Sequence, residues 1–571
     1  MSDFFNSATQ GSLTVKLWRG ERMCLIGMDV TDPKPDFIGF SIEVKEPGAA
    51  DYVPLKNRLN FSYDAGGKGV DGFRNFDSTQ APFEKFRWLH FPETPSEAPY
   101  FYRISMLHMP ADGQITIGDQ VKDLSITLDK EDYDGCLDVG FTRNFASSQA
   151  FNDRCAAAVP PIDPTKLIPS NPDDGLTFQK IRGDIYQWLG FEAYELLFGL
   201  LDEVVNDPTL SLDVFAYDFN EPDVVDRLVK CGNRVRAVID NSGSHAPDTS
   251  AESQAAAKLQ ASAGCDAVVR MHFHTLQHNK VLIVKRNGTP ERVLFGSTNF
   301  SFRGLYIQAN NMLVFHSPDV AELFEMAFEL ALAGGDGFAA DPLAGQWHLV
   351  QSAGTPKAQF CFSPHQDTDL SLNPVGDAIN NAMSSVFYAI AFLNQTKSGA
   401  VRSAINQLMT RDVFSYGISD KEGGLTINKP DGSVGQVDFS YLAKVVPEPF
   451  SSEWNGGAGI HQHDKFVVCD FNLPTATIFT GSSNLSPSGE SGNGDNLVMI
   501  QDQRVATAYA IEALRIFDHL QFRNRMQEAE AANTPITLAK PVAISGTTAP
   551  WFAPFYVDGS QKARDRLLFS H

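Results

Sequence analysis

His278, Lys280, Ser297 and Asn299 recur, type for type and at the same spacing, as His463, Lys465, Ser482 and Asn484, with 185 residues between the two histidines. Each copy reads H-x-K, four mostly apolar residues, a polar position, ten further residues, and then G-S-x-N. The polar position is Lys285 in the first copy and Asp470 in the second. Imidazole can act as nucleophile or proton carrier at neutral pH. Ammonium and amide groups can hold oxygens on which negative charge develops. Two copies facing each other therefore hold every group that displacement at a phosphodiester needs. One His attacks phosphorus, the other protonates the leaving oxygen, and the Lys and Asn donors hold the non-bridging oxygens. The spacing does not say which His attacks.

The elements that must position these groups follow from the same spacing. In an extended strand, side chains two residues apart point the same way, so H-x-K aims His and Lys together. The apolar run continues that strand into a buried sheet. The G-S-x-N turn then brings a Ser and an Asn back to the same end, with Gly permitting close backbone approach.

This paired element resembles the HxKxxxxD and G-[SG]-x-N motifs of the phospholipase D superfamily. The motif-bearing match covers about 270–315 and 455–500, and the strand–helix pattern extends it over roughly 175–530. The resemblance implies two similar α/β halves with one site between them, completed by a single chain. It also implies a covalent phosphohistidine, followed by hydrolysis or transfer to an alcohol. On this reading His278, Lys280, Asn299, His463, Lys465, Asn484 and Asp495 are catalytic, Ser297 and Ser482 bind substrate, and Asp470 is structural. Family members often carry an acidic residue shortly after G-S-x-N that orients a catalytic His. The second copy offers Asp495 at that place, whereas the first offers Asn310-Asn311. Where the pairing crosses between halves, Asp495 serves His278, which makes His278 the nucleophile and His463 the general acid.

Composition bounds the partners. The 571 residues carry 46 Lys+Arg against 69 Asp+Glu, a formal net charge of −23. Residues 1–170 hold 17 basic and 24 acidic side chains and residues 171–571 hold 29 and 45, so the excess is spread along the chain. Such a surface repels polyanions at long range. Residues 270–311 go the other way, with six basic and one acidic side chain. The expected substrate is thus a small phosphodiester or a phospholipid. A nuclease of the same superfamily is the alternative, disfavoured by charge, and an inactive scaffold is the second alternative, motivated by Lys285 and Asn310. No cofactor is expected. The H-x-H pairs His272/His274 and His461/His463 lack a Cys or carboxylate at ligand spacing, so no metal is assigned to them. Seven scattered cysteines with no C-x-x-C pair, and no apolar run of spanning length, fit a cytoplasmic chain without a signal peptide or transmembrane helix.

Short apolar runs separated by Pro, Gly and Asp clusters predict an all-β, sandwich-like domain over 1–160, of unassigned role. A Pro-rich linker follows. Alternating strands and helices then predict phospholipase D-like α/β halves at 175–350 and 355–535. Residues 536–571 are expected to be an extension packed on the core.

Overall fold

The computed structural model describes residues 4–63, 75–92, 95–129, 133–143, 149–163, 166–352, 354–419, 429, 431–438, 462–532 and 534–571. Two mixed sheets dominate the chain after residue 175. The first has seven strands, with Val281–Arg286 at its centre and Leu210–Ala216 beside it, antiparallel to that strand and parallel to Val235–Asp240 on its other side. The hairpin Val281–Arg286/Thr289–Gly296 turns through Asn287 and Gly288, both at positive φ, and continues onto Asn311–Phe315. The second sheet has eight strands and repeats this order: Ser385–Ile390 lies between parallel Phe414–Ser419 and antiparallel Lys465–Cys469, which continues onto Thr477–Gly481 and Asp495–Gln501. Both sheets are thus built from the same hairpin plus third strand, and that unit carries the duplicated motif.

Strands buried on both faces read as continuous apolar runs, and Val281-Leu282-Ile283-Val284 and Phe466-Val467-Val468 do so. One face of each sheet, with helices Pro318–Leu332 and Gln503–Ala531, contributes to a single shared core containing Phe295, Phe324, Phe360, Phe466 and Tyr509. The opposite face of the first sheet is covered by helices Gly183–Asn206, Pro222–Cys231 and Ala251–Ala263. That of the second is covered by Asp369–Asn381 and Ala400–Leu408. The two halves therefore meet through a continuous hydrophobic interior, which fixes their sites relative to each other.

The N-terminal residues form two four-stranded antiparallel sheets that share the core of Leu17, Ile26, Phe40, Tyr102 and Ile104. Strand Leu137–Phe141 leaves this unit and pairs with Asn311–Phe315, at the edge of the seven-stranded sheet. The chain's last segment returns to the first: Trp18 Nε1 donates to Phe569 O at 2.8 Å, Trp551 Nε1 to Phe37 O at 3.1 Å, and Arg87 Nε to Asp565 at 2.8 Å. Among the described residues no helix is long and apolar enough to cross a membrane.

Candidate active site

His278-Asn279-Lys280 ends at the start of strand Val281–Arg286, and His463-Asp464 immediately precede Lys465–Cys469. The pairing Val281↔Phe295, and its counterpart Phe466↔Thr480, sets G-S-x-N beside H-x-K in both halves. Gly296 and Gly481 have φ of 153° and 143°, and a Cβ on either would lie 2.4 Å from the carbonyl oxygen of Asn311 or Asn496. Glycine is required at both turns because the neighbouring third strand passes too close for any side chain.

The halves exchange contacts across their boundary. His278 N donates to Gly494 O at 2.9 Å, and His463 N to Ala309 O at 3.0 Å. The side chains follow the same crossing. His278 Nδ1 lies 2.7 Å from Asp495 Oδ1, and His463 Nδ1 lies 2.9 Å from Asn310 Oδ1. Ser482 Oγ donates to Asp495 Oδ1 at 2.6 Å, and Ser297 Oγ to Asn310 Oδ1 at 2.8 Å. Each Ser thus steadies the group that orients the opposite half's His. The serines read as substrate ligands are engaged inside the protein.

Hydrogen bonding fixes the tautomers. Asn310 Nδ2 donates to Gly304 O at 2.9 Å, so its Oδ1 must accept and His463 Nδ1 must carry a proton. The Asp495 carboxylate imposes the same on His278. Both histidines therefore present Nε2 as the reactive nitrogen. Lys465 Nζ stands 3.2 Å from His463 Nε2 and donates to His463 O at 2.7 Å, while Lys280 Nζ donates to His278 O. Lys280 also lies over the Tyr217 ring, 4.8 Å from its centroid, and Tyr217 packs edge-on to the His278 ring at 4.8 Å.

Both His and both Lys are at most 4% exposed. Burial, then the Lys280 ammonium, push His278 down to about 4 against the pull of Asp495. Burial and the neighbouring Lys465, Lys280 and His278 hold His463 well below the usual imidazole range. Burial lowers Lys280 to about 7 and, with Lys280 opposite, sets Lys465 well below an ordinary ammonium. Burial alone would raise Asp495, but His278, Lys280 and Ser482 keep it below the ordinary carboxylate value. Burial thus disfavours positive charge on both His and both Lys, a cost that a negative charge beside them would offset. Among the described residues nothing hydrogen-bonds the buried Asn299 Oδ1 and Asn484 Oδ1. Their amides are free to turn Nδ2 toward an oxyanion.

Asp470 accepts from Met383 N, Ser384 N and Ser385 N, at 3.0, 2.7 and 3.2 Å, and so pins the start of strand Ser385–Ile390. Lys285, at the matching place, instead bridges Asp213 at 2.7 Å and Glu325 at 3.1 Å. Several neighbours carried no sequence signal. Asp240 Oδ1 accepts from Gln277 N at 2.7 Å, directly before His278. Glu490 accepts from Ser483 Oγ and from Ser371 Oγ, and lies 3.3 Å from His365 Nε2, behind the second G-S-x-N. Glu490 sits in the short helix Pro487–Gly492. His272 and His274 are exposed, with His272 Nδ1 2.6 Å from Asn241 Oδ1, and His461 lies outside the described residues.

The model of a family described as cardiolipin synthase, PLD-like domain, matches residues 201–331 and 375–517, which contain the two constellations. Polyphosphate kinase from Porphyromonas gingivalis is similar at 12% identity over 54% of this chain, with a TM-score of 0.37, and this chain spans 46% of that kinase's length. Phosphatidylserine synthase of Haemophilus influenzae Rd KW20 is similar at 11% identity, over 60% of this chain and 93% of its own, with a TM-score of 0.40. Nuc from Salmonella typhimurium, a phospholipase D family member, shares 25% identity over 23% of this chain and 84% of its own, with a TM-score of 0.19. No curated protein matches the chain.

Proposed function

From the two PLD-like domains, which place this chain in the phospholipase D superfamily, we propose a phosphodiesterase that cleaves a phospholipid or related small phosphodiester through a covalent phosphohistidine. His278 is the nucleophile. Its Nδ1–H is held by Asp495, so the Nε2 lone pair faces the substrate, and its depressed pKa keeps it neutral above about pH 4. Nε2 attacks phosphorus, the bond to the leaving alcohol breaks, and protonated His463 delivers its Nε2 proton to that oxygen. His463, neutral again, then removes a proton from water or an acceptor alcohol, which attacks phosphorus and releases His278. Lys280, Lys465, Asn299 and Asn484 hold the non-bridging oxygens. The phosphodiester's charge raises the pKa of both lysines and of His463, so substrate binding itself charges the acid.

The observation that carries this assignment is the unequal pairing of the two imidazoles, carboxylate for His278 and neutral amide for His463. A carboxylate strengthens a nucleophile by stabilising the cation it becomes, whereas an amide leaves the imidazolium more acidic. In this proposal the N-terminal β domain expected over 1–160 ends before Leu137–Phe141, which completes the first half's sheet, the halves are 175–350 and 355–535, and 536–571 is the packed extension.

Turnover of an aryl phosphodiester, with acid-quench trapping of phosphoenzyme, tests the assignment. His463→Ala should still form and accumulate phosphoenzyme, because an aryl leaving group needs no acid, while His278→Ala should form none. Trapping in His278→Ala but not in His463→Ala would reverse the roles. Release of a head group from phospholipid vesicles, set against cleavage of DNA, then separates lipid from nucleic acid as substrate.

A further inference from the structure

Beside the phosphodiester site, Asp218, His245 and Glu252 bring one ligand atom each within 4.8 Å of one another. They come from three separate elements: the end of strand Leu210–Ala216, the loop after Val235–Asp240, and the first turn of helix Ala251–Ala263. His245 Nδ1 is 2.8 Å from Asp240 Oδ2, which also accepts from Ser242 N at 2.9 Å and Ser242 Oγ at 2.6 Å. That carboxylate fixes the tautomer and aims the bare Nε2 at Glu252, whose Oε1 lies 3.9 Å away, too far for a hydrogen bond. A carboxylate on the far nitrogen is the usual outer support of a metal-binding imidazole.

Glu252 supplies a second, independent sign. It is 3% exposed, and its carboxylate is reached only by backbone amides among the described residues, Phe219 N at 2.9 Å from Oε1 and its own N–H, with no Lys or Arg side chain bridging it. Asp218 accepts from Ser301 Oγ at 2.8 Å. Among the described residues no Lys or Arg comes within salt-bridge distance of Asp218, Asp240 or Glu252. Arg270, the nearest guanidinium to this loop, donates to Asp240 O, His245 O and Ser253 Oγ and to none of the carboxylates. The cluster Asp213, Glu325 and Glu329 shows the contrast, because Lys285 and Arg236 already lie among those carboxylates.

We infer that Asp218, His245 and Glu252 form a binding site for one divalent cation, with Asp240 as the outer support of His245. One imidazole and two carboxylates suit Zn²⁺, Co²⁺ or Mn²⁺. The cation takes no part in the displacement. It locks the wall behind the nucleophile, since His245 packs on Tyr217 at 4.7 Å between ring centroids, Tyr217 packs on His278, and Asp240 holds Gln277 N.

The full chain, stripped with chelator and returned to buffer at pH 7.5 with ordinary salt, is titrated with Co²⁺ and followed by its visible ligand-field absorption, and separately with Zn²⁺ by calorimetry. One saturable ion per chain is expected, with a rise in melting temperature on binding. Asp218→Asn and Glu252→Gln should each weaken it about tenfold or more, and Asp240→Asn about tenfold. Asp367→Asn, at an exposed carboxylate elsewhere, should leave it unchanged. Asp218→Asn keeps an oxygen for Ser301 Oγ, so it reads binding even where Glu252→Gln fails to fold. No saturable ion in the unmodified chain, or an unchanged Co²⁺ spectrum and affinity in Asp218→Asn, would overturn the site and leave His245 as an imidazolium balancing its carboxylates. Binding is read without substrate, so neither result depends on the phosphodiesterase reading.

Discussion

The two halves share the backbone of their sites and differ in where they place charge. Each His meets an orienting side chain from the other half, each orienting side chain is steadied by a motif Ser, and each motif Gly lies against a third-strand carbonyl. The carboxylates, however, have changed places. On the His278 side the carboxylate touches the ring, as Asp495, and the residue after His is Asn279, which accepts from Asn496 Nδ2 at 2.8 Å. On the His463 side the ring meets Asn310, and the carboxylate is one residue along, as Asp464, accepting from Asn311 Nδ2 at 3.0 Å. Burial, then the neighbouring Glu512, raise Asp464 to about 7, so it serves His463 poorly as a fixed charge. Duplication supplies two equal frames, and in the proposed mechanism the two Asp/Asn exchanges between them suit one imidazole to attack and the other to proton donation.

The sharpest way to break this comparison is to equalise the halves downward. Asp495→Asn gives both imidazoles an amide partner and removes the charge that stabilises phosphohistidine formation. Single-turnover phosphoenzyme formation should fall by about three to four powers of ten. Loss of less than tenfold would mean that Asp495 does not serve the nucleophile.

Equalising upward is milder. Asn310→Asp makes His463 a better base and a poorer acid, and replaces the donor to Gly304 O with an acceptor. Breakdown of the phosphoenzyme should speed by on the order of tenfold, while formation with an alkyl leaving group slows. The steady-state fraction of phosphoenzyme reads both changes at once.

The duplicated motif was legible in the sequence because both its members lie on one hairpin, where covalent spacing dictates register. Asp495 entered through the family resemblance, and its pairing with His278 crosses 217 residues that no local pattern spans. Tyr217, Asp240, His245, Glu252 and Glu490 gave no signal, since each reaches the site from a different element and only packing brings them together. Strand Leu137–Phe141 was folded into the expected N-terminal domain for the same reason: its five residues read as one more short strand, and only the pairing with Asn311–Phe315 shows which sheet it completes. Lys285 stands where the family motif carries an acid, and the structure gives it two carboxylates of its own.

The buried cations make a pH-dependent comparison between empty and filled sites. His278 and Lys280 have folded pKa values below their unfolded ones, so the unfolded chain binds more protons between about 4 and 6.5 and between about 7 and 10.5. Their contribution to stability therefore rises with pH through those windows and is lost on acidification. An anion in the site reverses the penalty. Inorganic phosphate or vanadate should raise the melting temperature more at pH 6 than at pH 9, and calorimetry in buffers of differing ionisation enthalpy should show net proton uptake at pH 7.5. Proton release, or a shift independent of pH, would contradict the burial of uncompensated cations.

The smallest effects test the position where one half has Asp470 and the other Lys285. Asp470 stabilises three successive amides at the entry to Ser385–Ile390, so Asp470→Ala strips their acceptor and should cost about 2–3 kcal/mol. Lys285→Met leaves Asp213 its bidentate partner Arg236, with both hydrogen bonds at 2.7 Å, and should cost about 1 kcal/mol. Hydrogen exchange separates the two more cleanly than melting does. In Asp470→Ala the amides of residues 383–385 should lose protection while those of the matching first-half strand are unchanged, and Lys285→Met should loosen the contact between Leu210–Ala216 and helix Pro318–Leu332 without altering phosphoenzyme formation. Equal loss of protection in both variants would mean that the two positions do the same structural work despite opposite charge.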